Sequence, residues 1–197
     1  MYLKIKRLID VLLSLIGIII LLPVFLLLIL GIKLDSRGPV LFKQKRVGIN
    51  KSYFYILKFR TMKIDTPKDT PTHLLDRPEQ YITRMGKFLR KSSLDEIPQI
   101  WNILLGQMSI IGPRPALWNQ YDLIKERDKF GANNILPGLT GWAQINGRDE
   151  LSIEHKAMLD GEYVEKLNFM MDVRCFFETI ASVVQSKGVV EGGNSVE

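Results

Sequence analysis

Residues 11–32, VLLSLIGIIILLPVFLLLILGI, carry no charge over a stretch long enough to form a membrane helix. A helix in a soluble core shows one apolar stripe, not an apolar surface all round, so this segment is assigned to a bilayer. A cleaved secretory signal has a shorter apolar region and a small-residue cleavage site; KLDSRGPVLF follows instead, so the segment is expected to remain. Lys4, Lys6 and Arg7 precede it, and Lys33 and Arg37 follow it. Basic residues kept on the cytoplasmic side are satisfied at both ends if the segment dips in and returns. Pro23 removes a backbone donor near the middle and predicts a bend. A slightly kinked spanning helix tolerates a proline too, so span and re-entry both stay open on these grounds. Asp10 lies just inside the apolar stretch and needs a partner, either Arg7 one turn earlier or a residue of the folded domain.

The chain of 197 residues suffices for one domain plus this appendage. A net charge of +6 suits an anionic partner: a membrane surface, a nucleic acid or a phosphorylated substrate. The basic residues are scattered among apolar and acidic motifs, which argues against nucleic acid. The single cysteine, Cys175, excludes an internal disulfide framework and fits a reducing compartment. With only His73 and His155 beside it, a structural zinc site is not expected.

Beyond residue 36 the chain reads as α+β, a small, mostly helical domain with a short β element. GPVLFKQKRVG and KSYFYILKFRTM are extended, the second aromatic and β-branched and ending in Lys58 and Arg60. KIDTPKDTPTHLLDRPEQ is proline-rich and polar, hence a surface loop. YITRMGKFLRKSS predicts an amphipathic helix with Ile82, Met85, Phe88 and Leu89 on one face and basic residues on the other. Beside a bilayer such a helix suits either the core or the headgroup layer. NQYDLIKERDKF, SIEHKAMLDGEYVEKLN and MMDVRCFFETIASVVQS predict three more helices, and PGLTGWAQINGRDELS a glycine-rich loop. The domains expected are 1–36 (membrane helix), 37–190 (catalytic domain) and 191–197 (loose tail).

KSSLDEIPQIWN, residues 91–102, sets Asp95 beside Glu96. Ser93 to Glu96 fits a capping box, the ordinary reading. A helix begun at Ser93 would carry Pro98 beyond its first turn, where the ring disturbs the ladder; a start at Asp95 or later avoids this. The functional reading makes a carboxylate the nucleophile on a phosphoryl group, which requires cations to neutralise the phosphate oxygens. Lys58, Arg60, Arg90, Arg114 and Arg148 are the candidates, and Asp160 and Asp172 are placed to hold a metal or orient a basic residue. An all-oxygen site of this kind suits Mg2+ over zinc. Arg114 lies between Pro113 and Pro115, which hold the backbone extended and fix where its planar fork points.

Taken in order, the basic pair before Asp10, the proline-interrupted apolar segment, FKQKRVG, KFRTM, SSLDEIPQIWN, GQMSIIGPRP and PGLTGWAQINGR resemble the bacterial sugar transferases, the monotopic phosphoglycosyl transferases. The resemblance covers nearly the whole chain. It implies transfer of a sugar-1-phosphate from a UDP-sugar to polyprenyl (undecaprenyl) phosphate with release of UMP. It further implies Asp95 as nucleophile through a covalent phosphosugar intermediate, Glu96 as its dyad partner, and Mg2+ held near Asp95. Lys58, Arg60, Arg90, Arg114, Gln144, Arg148 and Asp160 are then the substrate-binding positions. The apolar segment is expected to be a re-entrant helix-break-helix bent at Pro23, on the cytoplasmic face of the bacterial inner membrane, and a homodimer is allowed. Leu22 stands where some small members have a serine supporting the break. The rival expectations are a nucleotide-sugar pyrophosphatase with water as acceptor and a membrane-anchored binding module.

Overall fold

Charged side chains at the two ends of the apolar helix fasten it to the rest of the chain. This is seen in a computed structural model that describes residues 1–66, 78–147 and 151–184. Helix α1 (Tyr2–Asp35) continues through Pro23 as one helical element, about 51 Å long at the usual rise. The expected helix-break-helix is not observed as an interruption. One face of α1 buries Lys6, Asp10, Ser14, Leu28 and Ile32. Leu12, Ile16, Ile19, Ile20, Leu26, Leu27 and Leu30 are exposed, and Val24 and Phe25 are half-buried.

Strands β1 (Leu41–Val47) and β2 (Tyr53–Phe59) form an antiparallel hairpin with Gln44 opposite Ile56 and Phe42 opposite Lys58. Its tight connection takes Asn50 and Lys51 through positive φ. Helices α2 (Arg84–Lys91) and α3 (Gln99–Leu104) follow. Thr83 caps α2 by accepting from the Gly86 amide at 3.0 Å. On α2, Leu89 is fully buried and Phe88 exposed, so the expected apolar face is only partly used by the core.

The remaining elements are β3 (Ser109–Ile111), α4 (Tyr121–Asp128), β4 (Gly138–Thr140), α5 (Trp142–Ile145), α6 (Ile153–Glu165) and α7 (Phe169–Val184). β3 and β4 pair in parallel, Ser109 beside Gly138 and Ile111 beside Thr140. PGLTGWAQING, expected as part of a glycine-rich loop, contains β4 and α5. Its glycines serve the approach of another backbone. A Cβ on Gly138 would sit 2.1 Å from the Gly112 amide nitrogen, and one on Gly141 2.0 Å from the Gly112 carbonyl oxygen.

The anchors of α1 explain why it lies on this domain. Near its start, Arg7 donates to the carbonyls of Ile103 (2.6 Å) and Leu104 (2.8 Å), a cation at the C-terminus of α3. Lys6 pairs with Asp172 of α7 at 2.5 Å, and Asp172 also accepts from Tyr2 and Tyr163. Asp10 accepts from the Ile110 amide at 3.0 Å, so its partner is the folded domain and not Arg7. At the other end, Asp35 accepts from the Met85 amide at 3.0 Å, an anion at the N-terminus of α2. Leu28 and Ile32 complete that attachment by packing with Phe59 and Leu89. Each buried aliphatic side chain there contributes roughly 1.5–3 kcal/mol. A second core gathers Ile111, Trp142, Leu159, Tyr163, Met171 and Cys175 between β3, α5, α6 and α7.

Candidate active site

Alternation along β2 sends Phe59 into the core against α1 and Lys58 to the opposite side. After α2 the chain turns through Ser93, whose φ of 56° and ψ of 15° are left-handed, into a single 3-10 turn at Leu94–Glu96. Helix α3 begins after Pro98, so the proline obstructs nothing. Leu94 and Ile97, three residues apart, pack on the Leu28–Phe59 cluster, and Asp95 and Glu96 are left for the other side. The capping box is not formed: Ser93 makes no side-chain cap, and the Glu96 carboxylate points to cations instead.

Glu96 Oε1 takes both Lys58 Nζ and Arg114 Nη2, each at 2.7 Å. Asp95 Oδ2 stands 3.8 Å from Lys58 Nζ, beyond hydrogen-bond distance. The Asp95, Glu96 and Lys58 side chains are 13%, 14% and 16% exposed, whereas Arg114 is 29% exposed, so an incoming anion meets the guanidinium first. Burial tends to raise both acids, with opposite outcomes. Asp95 is pushed up by burial and by the charge of Glu96, against the pull of Lys58, Arg90 and Arg114. For Glu96, burial is overcome by Arg114 and Lys58 and their hydrogen bonds, which hold it well below the usual carboxylate range.

Arg90, on α2, donates from Nε to Thr61 Oγ1 at 3.0 Å and lies within electrostatic reach of Asp95. Four other expected positions are engaged by the protein's own groups. Arg60 is buried and donates to the carbonyls of Ser36 and Arg37, fastening the end of α1. Asp160, expected at the substrate, is 1% exposed and closed by Arg127, with Nε and Nη2 at 2.7 and 2.5 Å. Gln144 donates to the Leu139 carbonyl at 3.1 Å. Asp172 is taken by Lys6, Tyr2 and Tyr163. Arg148, the 191–197 tail and most of the 63–80 loop lie outside the described residues.

Sequence reasoning missed Arg46 and Arg127. Arg127 is buried and Arg46 half-buried, and each donates to a carbonyl of the Arg114–Pro115 stretch, but in sequence each is one arginine in a basic or polar stretch.

Among the described residues no cluster of three or more His, Cys, Asp or Glu side chains could cage a metal. Mg2+ needs no such cage, since it takes one or two carboxylates and completes its shell with substrate phosphates and water. Asp95, the acid without a cation at hydrogen-bond distance, fits that donor set; Glu96 is engaged by two cations.

A carboxylate pair thus faces Lys58, Arg90 and Arg114 on the domain that carries the exposed apolar helix. The chain belongs to the bacterial sugar transferase family, whose pattern it matches over residues 1–186. It is 38% identical to an undecaprenyl-phosphate glucose phosphotransferase of Komagataeibacter xylinus, over 92% of this chain and 36% of that protein. It is 37% identical to a UDP-glucose:undecaprenyl-phosphate glucose-1-phosphate transferase of Xanthomonas campestris pv. campestris, over 92% of this chain and 39% of that one. The chain thus spans little more than a third of the length of these two relatives. With a shorter one, the uncharacterized sugar transferase EpsL of Bacillus subtilis, identity is 39% over 84% of this chain and 80% of the relative.

Proposed function

We propose that the chain transfers a sugar-1-phosphate from a UDP-sugar to polyprenyl phosphate, releasing UMP, through a covalent phosphosugar intermediate on Asp95. The difference between the two acids carries this reading. Glu96 is neutralised by Lys58 and Arg114, while neither cation is hydrogen-bonded to Asp95. A carboxylate tied by two short charged hydrogen bonds is a poor nucleophile, and its neighbour is the better one.

In the first half-reaction an Asp95 oxygen attacks the β-phosphorus of the donor. The bond from that phosphorus to the oxygen bridging the α-phosphate breaks, and UMP leaves with that oxygen and its electron pair. In the second, a phosphate oxygen of polyprenyl phosphate attacks the same phosphorus and the Asp95 carboxylate departs. Arg114, Lys58 and Arg90 offset the negative charge on the transferring phosphoryl group. Asp95 would hold Mg2+, which would supply further charge neutralisation.

The two-ended attachment of α1 supports a monotopic arrangement, and the cytoplasmic face of the inner membrane is part of the same proposal. Arg7 holds one end to α3 and Asp35 the other to α2, so a helix crossing the bilayer would have to release one of them. A segment that enters and leaves on one side keeps both, and it sets Asp95 at headgroup height, where the acceptor's phosphate lies.

The test is mass spectrometry of the Asp95 peptide after incubation with a UDP-sugar alone. UDP-glucose comes first, as the donor in one relative's name. A phosphosugar adduct is expected, absent in Asp95→Asn. Turnover retained by purified Asp95→Asn overturns the nucleophile. UMP release that proceeds to completion without polyprenyl phosphate overturns the acceptor in favour of hydrolysis.

A further inference from the structure

The segment Pro113–Ala116 has all four of its carbonyls held, each by a donor from outside it. Pro113 O accepts from the Gly138 amide, Arg114 O from Arg127 Nη1, Pro115 O from Arg46 Nη1 and Ala116 O from the Val47 amide, each at 2.9 Å. Prolines at 113 and 115 fix φ and remove two amide donors, so carbonyls are the main handles by which the fold can grip this stretch. Two of the four grips come from strand backbone. The other two come from guanidinium groups, the buried Arg127 at the carbonyl of Arg114 and the half-buried Arg46 at that of the residue after it.

Arg127, on α4, is 3% exposed, and its ion pair with Asp160 of α6 is closed to solvent. As a pair the two are electrically neutral and add little field at Glu96. Well-packed apolar side chains would fill the same space at lower desolvation cost. What they cannot do is donate to the Arg114 carbonyl. Arg46 behaves alike: Nη2 is satisfied by Gln44 Oε1 at 2.6 Å, while Nε is buried without a hydrogen-bond partner. Burying such a donor is costly, and in return the Pro115 carbonyl is fixed.

We infer that Arg127 and Asp160 form a positioning pair for phosphate transfer, fixing the main chain of Arg114 from behind so that its guanidinium stays beside Glu96 and meets the donor without reorganising. Arg46 does the same one residue later. The inference rests on the phosphate-binding role proposed for Arg114. It moves Asp160 from the substrate to the support behind the site. Small displacements matter at such a position, because the transferring phosphoryl group is stabilised only by correctly placed charge.

The experiment is a double-mutant cycle on the full chain in nanodiscs, with UMP release as the activity. The pair is replaced together, Arg127→Met with Asp160→Leu, in the wild type and in Arg114→Ala. Loss of positioning is expected to lower kcat/KM roughly 10- to 100-fold in the wild-type background. In the Arg114→Ala background the same replacement is expected to change it by less than about twofold, because both act through one guanidinium. Equal losses in both backgrounds mean general loosening and overturn the inference, as does an undiminished rate in the wild-type background. If the apolar pair does not fold, Arg127→Lys replaces it. One ammonium keeps the charge for Asp160 but lacks the fork that also reaches the carbonyl, so the same pattern is expected.

A wild type that releases no UMP from any UDP-sugar refutes the proposed reaction, and hydrogen exchange then decides the grip on its own. The Arg114, Ala116 and Leu117 amides are expected to exchange faster in the replaced pair than in the wild type. Unchanged exchange there overturns the inference.

Discussion

Arg114 Nη2 lies 2.7 Å from Glu96 Oε1, so the acid beside Asp95 enters the site already neutralised. Lys58 takes the same oxygen, and three charges in contact leave one net positive charge next to Asp95. The dyad is therefore two acids with separate tasks, one organising cations and one left to react.

Replacing Glu96 with Gln leaves Lys58 and Arg114 facing each other without the anion between them. Stability at neutral pH is expected to fall by about 1–3 kcal/mol, read by urea unfolding. Glu96 is depressed below its ordinary value of 4.5, so its contribution is full above that pH and is lost as pH falls through its folded value. The gap between wild type and Glu96→Gln should therefore narrow on acidification below 4.5. A gap that widens there contradicts the charge assignment.

Asp95 is raised above its ordinary value of 3.8, by burial first and by Glu96 in addition. The protonated acid is not a nucleophile, so kcat/KM should fall with decreasing pH along a limb above that of an ordinary aspartate. In Glu96→Gln the limb should move to lower pH, because one of the charges raising Asp95 is gone. A limb that stays put would show that burial alone sets it.

Arg7→Ala removes the donor to the Ile103 and Leu104 carbonyls at the end of α3. Two acceptors lose a charged partner, and a loss of about 1–3 kcal/mol is expected in thermal or denaturant unfolding. The same variant should let the first turns of α1 exchange amide hydrogens faster than the turns near Asp35. Uniform exchange along the helix would deny Arg7 its anchoring role.

Gly138→Ala places a methyl group 2.1 Å from the Gly112 amide nitrogen, with no flexible side chain to give way. The β3–β4 pair must separate, and a cost of about 3 kcal/mol or more is expected. Because the Gly138 amide also holds the Pro113 carbonyl, UMP release should fall with stability. A folded, fully active Gly138→Ala protein would mean that this pairing does not support Arg114.

Much of the site was legible because its chemistry is local. Asp95 and Glu96 are adjacent, Pro98 limits where the next helix can start, and two prolines flank Arg114. The extended segments β1 and β2 and helices α4, α6 and α7 were legible for the same reason, each carrying its own pattern, whereas α5 was hidden in a stretch that reads as a glycine-rich loop. β4 was not legible: a three-residue strand rich in glycine has no periodicity of its own and exists only because the Gly112 backbone lies against it.

By itself, then, the sequence determined an apolar helix, an acidic pair with cations, and a rigid arginine between prolines, since adjacency and spacing decide all three. Tertiary structure alone decided which charges meet. Arg127 reaches Asp160 across 33 residues, and Arg7 reaches Ile103 across 96. An arginine's neighbours in sequence say nothing of the carboxylate or carbonyl it will find, because that partner is chosen by how α4 packs on α6 and α1 on α3. The same packing kept both ends of α1 on one domain.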